Sequence, residues 1–539
     1  MSSTRKKSIV SLPIDCMYEI IQQLPEESQI LYKFLFVNRF WFKSIVSLLW
    51  KYPFKKINED SVKNARLIRT YLGCLDEEEK NNIEIDHHFK LPSIQKPFLN
   101  YAKYLTNFTI DELNSSVRDW YFDYRKSLLY KTVVNKDFEK AILSSIYHLF
   151  IRSNHSNLES LEFKQDCIHS WNWEKVLQDT IRLSSLRILT VELHEDLKDD
   201  GDNKISDLEF FNILLSRCTN LQTLKIYLTI HEVQEEYLKC FSANQIIKII
   251  QAQKNLEILN ISNFYKHGSE LTKIISGLES QCNSLRELQF NDINFKGCSL
   301  IGLKFCSNLE SIIFSSCCGL TKDHCNTLSQ SSFKLKSLYF HDLIITHLNV
   351  IAKMLYLFGN SLTSFGTTIL TNDIINTASI RCPNIKCLSI ITRSDFYLQE
   401  IFSWICNLEL IELDITSSDQ EPSKFFQLLG YYLPNTLKIL KLQCSYVSNN
   451  SLKNLFSSHM NLERLIFRNS YEFNYDCLMV IYEYIINCKN FKELTFKTYR
   501  KEWSLRDLKV LEEIKKHCPL VNCEFEISTV EEMLDGFVF

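Results

Sequence analysis

"NLESLEF" at residues 157–163, "NLESIIF" at 308–314 and "NLERLIF" at 461–467 are nearly the same seven letters, written three times in a chain of 539 residues. The chain repeats the heptad in looser form as SLRILTV (185), NLQTLKI (220), NLEILNI (255), SLRELQF (284), KLKSLYF (334) and SLTSFGT (361). NIKCLSI (384), NLELIEL (407), TLKILKL (436), NFKELTF (490) and a degraded PLVNCEF (519) complete the series, with starts 23 to 35 residues apart. The fifth and seventh letters are mostly apolar around a variable sixth, the period-2 alternation of a strand with one buried side. Between heptads the period changes to three and four. Residues 207–218, "DLEFFNILLSRC", place Leu208, Phe211, Leu215 and Cys218 on one helical face behind Asp207 as N-cap, and "DCLMVIYEYIINC" (476–488) repeats the plan. Each unit therefore predicts a strand, a turn and a helix. So short a unit cannot bury its apolar face alone, whereas stacked units share one core, so the expected class is α/β.

The unit "CSNLESIIFSSCCGLTKDHCNTLSQ" (306–330) carries a resemblance. Its pattern resembles the leucine-rich repeat family, and in particular the cysteine-containing subclass, with Cys317 or Cys318 at the turn and "LTKDHC" at the start of the helix. The resemblance implies an irregular solenoid over residues 151–527, with parallel strands on the concave side, helices on the convex side and a tail or cap at 528–539. The sixth letters would then form an outward column: Glu162, Thr190, Lys225, Asn260, Gln289, Ile313, Tyr339, Gly366, Ser389, Glu412, Lys441, Ile466, Thr495 and Glu524. Most of these are polar and suit a solvated surface. Ile313 and Tyr339, adjacent in the column, with His341 two residues on, are the candidate target-binding group; the plainer reading is that Tyr339 covers a neighbouring side chain.

Residues 12–54, "LPIDCMYEIIQQLPEESQILYKFLFVNRFWFKSIVSLLWKYPF", follow a different grammar. Pro13 suits a helix's first turn, and Met17, Ile20, Ile21 and Leu24 follow at three-to-four spacing. Pro25, Glu26 and Glu27 restart a helix with Ile30, Leu31, Phe34, Leu35 and Val37 on its apolar face. Asn38 and Arg39 mark a break, and Phe40–Trp50 reads as a third helix with Trp41, Ile45, Leu48 and Leu49 inside. Three short helices hold more apolar residues than their own core needs, which points to a partner.

This stretch, taken as residues 9–54, resembles an F-box, through "LP" at Leu12–Pro13, "EII" at Glu19–Ile21, Leu24, Leu31, "VNRFW" at Val37–Trp41 and the closing Trp50. It departs at Asn38, where many members have Cys. The resemblance implies docking on the Skp-type adaptor of an SCF-type cullin–RING ubiquitin ligase. By position, Leu12, Pro13, Ile20, Ile21, Leu24, Leu31, Val37 and Trp41 are adaptor-facing or motif-core residues. Together the two resemblances imply a substrate receptor, linked through the adaptor to cullin and RING subunits and holding an unidentified protein substrate. The alternative is a leucine-rich-repeat interaction scaffold with no ubiquitin role.

Between these parts, residues 55–150 read as a helical or irregular connector. "DEEEKNNIEIDHHFKLPSIQKP" (76–97) reads as a polar loop, "YLTNFTI" (104–110) as a diverged first heptad, and 119–130 and 136–150 as helices. The formal net charge of −3, from 61 basic and 64 acidic residues, gives no field for gripping nucleic acid. No apolar run is long enough to span a membrane and no secretory signal is legible, so the expected location is cytoplasmic and/or nuclear. The 19 cysteines include no C-x-x-C pair, and several recur just before a heptad, as small buried hydrophobes would. With 11 glycines there is no phosphate-cradling loop, and no catalytic motif is present; "DHH" at Asp86–His88 fits a solvated loop better than metal ligands. The expectation is a non-catalytic protein without cofactor or metal.

Overall fold

Each heptad forms a strand in the computed structural model. The structure describes residues 16, 19–21, 28–54, 61–87, 90–127, 136–153, 158–164, 185–194, 218–229, 241–263, 268–342, 349–392, 397–417, 422–444, 447–457, 461–468, 473–498, 503–518 and 520–525. It divides into two compact units, Met1–Leu256 and Glu257–Phe539.

The second unit holds β4 (Ile258–Ser262), β5 (Glu287–Asn291), β6 (Ser311–Ser315), β7 (Ser337–His341), β8 (Ser364–Thr367) and β9 (Cys387–Thr392). It continues with β10 (Glu412–Ser417), β11 (Ile439–Cys444), β12 (Arg464–Arg468), β13 (Glu493–Thr498) and β14 (Leu520–Phe525). Each strand pairs in parallel with the next in chain order. This is a leucine-rich-repeat-type α/β fold. A recurring hydrogen bond sets its register: from Glu257 to Glu463, the carbonyl of the unit's third residue accepts two successive N–H groups of the next unit. Glu310 O accepts from Lys336 N at 2.8 Å and Ser337 N at 3.0 Å, and Lys336 O from Thr363 N and Ser364 N at 2.8 and 2.9 Å. The non-glycine residues Asn263, Asp292, Ser316 and Asp342, just after β4 to β7, have φ between 45° and 67°. There the amides of Asp292 and Ser316 reach Ser315 O and His341 O of the next rung, at 2.9 and 2.8 Å.

Inward residues form continuous rows. Phe290, Phe314 and Phe340 are fully buried and stacked, with ring centroids 5.6 and 5.4 Å apart. Helices cover this side, and neighbouring helices pack on one another. Local chemistry starts them: Asn474 caps Tyr475–Asn487 through Cys477 N at 2.9 Å, and Ser504 with Asp507 forms a capping box on Leu505–His517. The helix expected at 476–488 is thus present; that expected at 207–218 lies outside the described residues apart from Cys218, which is buried.

Two heptads need correction. In the register, Asp414 and not Glu412 stands between Ser389 and Lys441, and Asn522 and not Glu524 stands beside Thr495. The units are ELIELDI (409–415) and HCPLVNC (517–523). A two-residue slip keeps every side chain on its face, so alternation alone could not detect it. The shift also explains the cysteines: Cys518 occupies a leucine anchor position and is buried, Leu520 is 48% exposed, and Cys406, one step out of phase, is exposed.

In the first unit, β1 (Ser160–Lys164), β2 (Ile188–His194) and β3 (Thr223–Thr229) pair in parallel in the same way. The ladder begins earlier. Residues 105–109 run beside β1, and Thr106 O accepts from Glu159 N at 3.1 Å and Ser160 N at 3.3 Å. Thr106 N in turn donates to Lys51 O at 3.2 Å, at the end of the N-terminal helices. Leu105, Phe108 and Ile110 are buried, as heptad residues are elsewhere.

The polar loop read at 76–97 begins instead with a helix, Glu77–His87. Asp76 and Glu79 cap it reciprocally, each side chain accepting the other's N–H at 2.9 Å, and Ile83 is buried. Glu79, within the stretch read as a polar loop, is bonded to Arg152 Nη2 at 2.5 Å; burial nevertheless raises its carboxyl above the usual range. His88 lies outside the described residues.

Candidate interaction surfaces

At the N-terminus, Cys16 and Glu19–Ile21 are helical, followed by the helices Ser28–Phe34 and Arg39–Leu49. Asn38 caps the second, its side chain accepting from Phe40 N at 2.9 Å and Trp41 N at 3.1 Å. Residues 35–37 before the cap form a turn, and Val37 leaves the apolar face on which the sequence places it, whereas Leu35 stays on the core. Ile21, Leu31 and Ile45 form a small core, against which Phe34, Leu35, Phe40, Trp41, Leu48 and Leu49 pack. Trp41 is partly buried and stacks on Phe34 at 5.1 Å.

Among the described residues here, four large apolar side chains remain outside this core: Ile20 at 41% exposure, Tyr32 at 58%, Phe36 at 75% and Val37 at 55%. Tyr32 and Phe36 meet edge to face at 5.5 Å. The eight residues singled out in the sequence therefore divide. Ile21 and Leu31 are core, Trp41 is intermediate, Ile20 and Val37 are exposed, and Leu12, Pro13 and Leu24 lie outside the described residues. Sequence reading missed Tyr32 and Phe36. The available signal was their spacing, which sets both opposite Leu31, Phe34 and Leu35.

The second surface is the strand face that the helices leave uncovered. Ile313 and Tyr339 are register partners across β6 and β7. Tyr339 and His341 stack at 5.6 Å with ring planes 23° apart. The Tyr339 ring lies across Gly366 of β8, where an added Cβ would come within 2.7 Å of Cε1. Tyr339 thus covers a neighbouring residue, which is a glycine and so leaves room for the ring. Burial raises the Tyr339 phenol, while a hydrogen bond with Ser364 opposes it. Burial lowers His341, although the carboxylates of Asp342 and Asp414 partly counter this, so the ring is neutral near pH 7.

On either side, polar and charged side chains of the same face bond to one another. Asn260 donates to Gln289 Oε1 at 3.0 Å and accepts from Asn291 Nδ2 at 2.8 Å. From β10 to β13 the ions pair across strands: Glu412 with Lys441, Asp414 with Arg468 at 2.9 Å, and Arg464 with Glu493 at 3.3 Å.

Among the described residues no group of three or more His, Cys, Asp and Glu side chains is placed to hold a metal ion. None of the described helices is long and apolar enough to cross a membrane. Burial pushes the thiols of Cys218, Cys306, Cys317 and Cys382 up to about 12, so they remain protonated and unreactive. Iodoacetamide at pH 8 should label exposed Cys406 rapidly in the native chain and Cys317 only after unfolding, as read by peptide mass spectrometry.

No family model matches the chain, and no curated protein matches it. Among solved structures it is similar to a chain in the crystal structure of the Rad7 and Elc1 complex in yeast, at 15% identity and a TM-score of 0.38, over 78% of this chain and 89% of that one.

Proposed function

We propose that the chain is a non-catalytic substrate receptor of an SCF-type cullin–RING ubiquitin ligase. Its N-terminal helices dock on a Skp-type adaptor, and the open strand face holds the protein to be modified. Catalysis belongs to the partner subunits; this chain supplies proximity, raising the effective concentration of target lysines near the conjugating enzyme.

The observation that carries this reading is the set of exposed apolar side chains among the N-terminal helices. Ile20, Tyr32, Phe36 and Val37 stand exposed beside a core too small to use them, within a sequence that resembles an F-box. The Thr106–Lys51 hydrogen bond supports it, since it ties the end of these helices to the first rung of the ladder.

Purified full-length chain should capture a recombinant Skp-type adaptor. Phe36→Ala/Val37→Ala should weaken capture on the order of 100-fold, as loss of two interface anchors does, with the thermal midpoint unchanged because both side chains are exposed. Failure of the wild-type chain to capture the adaptor would leave a repeat scaffold without a ubiquitin role.

A further inference from the structure

Charge divides the open face of the second unit. Among the outward strand positions of β4 to β10 there is no lysine or arginine, whereas Glu287, Glu412 and Asp414 stand on them. One row runs Tyr339, Gly366, Ser389, Asp414 in register. The Tyr339 ring occupies the space over Gly366, and Ser389 is the next, low position. Asp414 then rises on the far side, with Glu412 beside Cys387 in the adjacent row. Strands lie about 4.8 Å apart, so the slot over Ser389 is roughly 10 Å from wall to wall, the thickness of one flat side chain and its contacts.

Tyr339, with His341 stacked on one of its faces, stands on one side of this slot and Asp414 on the other. The Asp414 charge acts on both Tyr339 and His341 across it. Lys441 and Arg468 approach Glu412 and Asp414 from the β11 and β12 side, opposite the slot, and hold the carboxylates in place. A carboxylate with one cation partner still has acceptor positions free. Covering the paired ions of β11 to β13 would cost desolvation that covering Ile313, Tyr339 and Ser389 would not.

We propose that this slot takes an arginine side chain from an extended segment of the target protein, its guanidinium stacked on Tyr339 and hydrogen-bonded to Asp414. This rests on the reading that the open face holds the target. Arginine fits better than lysine because its planar, weakly hydrated cation stacks on a ring and meets a carboxylate at its edge. Ile313, beside Tyr339, covers the neighbouring apolar residue of the same segment.

The test is isothermal titration of the full chain with three decapeptides, alternating alanine with arginine, citrulline or glutamate. The arginine peptide should bind about ten-fold tighter than the uncharged citrulline isostere, and the glutamate peptide should not bind. Asp414→Asn and Tyr339→Leu, the latter keeping Gly366 covered, should each remove most of that difference, while Glu493→Gln on β13 should leave it unchanged. Equal affinity for arginine and citrulline peptides, absence of arginine-peptide binding, or indifference to both substitutions would overturn the proposal. Adaptor capture by the same preparations is a separate readout, so failure here and failure of the receptor reading are distinguishable.

Discussion

Replacing Phe314 by alanine should lower the stability of the second unit by about 3–5 kcal/mol, the largest effect expected of any single truncation here. The ring is fully buried, stacked at 5.6 Å on Phe290 and 5.4 Å on Phe340, and met edge-on by Phe295 at 5.7 Å. Its removal breaks contacts with two neighbouring rungs together, and a parallel ladder held by backbone bonds cannot close the gap. Because each rung touches only its neighbours, the loss should be local at first. Hydrogen exchange should show amides of β5 to β7 losing protection while those of β11 to β13 keep theirs. A urea transition within 1 kcal/mol of wild type would mean that the phenylalanine row is not the core of this unit.

Gly430→Ala should also destabilise the chain, against the ordinary preference of helices for alanine. Gly430 lies in the helix Pro422–Tyr432, which packs on Asn449–Phe456. A Cβ there would fall inside contact distance of Asn454 O and within 3.1 Å of Leu455 Cα. These are backbone atoms and cannot rotate away. Helix propensity favours alanine by roughly 1 kcal/mol, whereas forcing two helices apart costs about 1–3 kcal/mol, occasionally more. The overpacking should win, and the sign of the change in thermal midpoint decides it: a rise would mean that the helices have slack.

Much of the fold was legible because its signal is repeated. A leucine at one position says little, but the same spacing in successive units leaves few structures that bury them all. Legibility failed where physics offers two equivalent answers. At 407 and 519 a two-residue shift satisfies the same alternation, and only the pairing with neighbouring strands chooses between them. At 76–97 a charge-rich segment reads as a loop, yet its first eleven residues after Asp76 form a helix because Asp76 and Glu79 cap it and Arg152, distant in sequence, anchors Glu79. The N-terminal helices were legible as helices, but not which of their apolar residues face outward. Periodicity marks a residue as apolar and on a face; it does not say how much of that face the neighbouring helices cover.

The amino-acid order alone determined the α/β repeat, the strand positions other than those at 407 and 519, and the alternation of inward and outward residues, since period and composition are local properties. Tertiary structure decided that Tyr339 lies over Gly366, that Asp414 and not Glu412 faces it across Ser389, and that Phe36 and Val37 are left bare. Those outcomes depend on which rung stands beside which and on what covers each face, and both are settled only when distant segments pack.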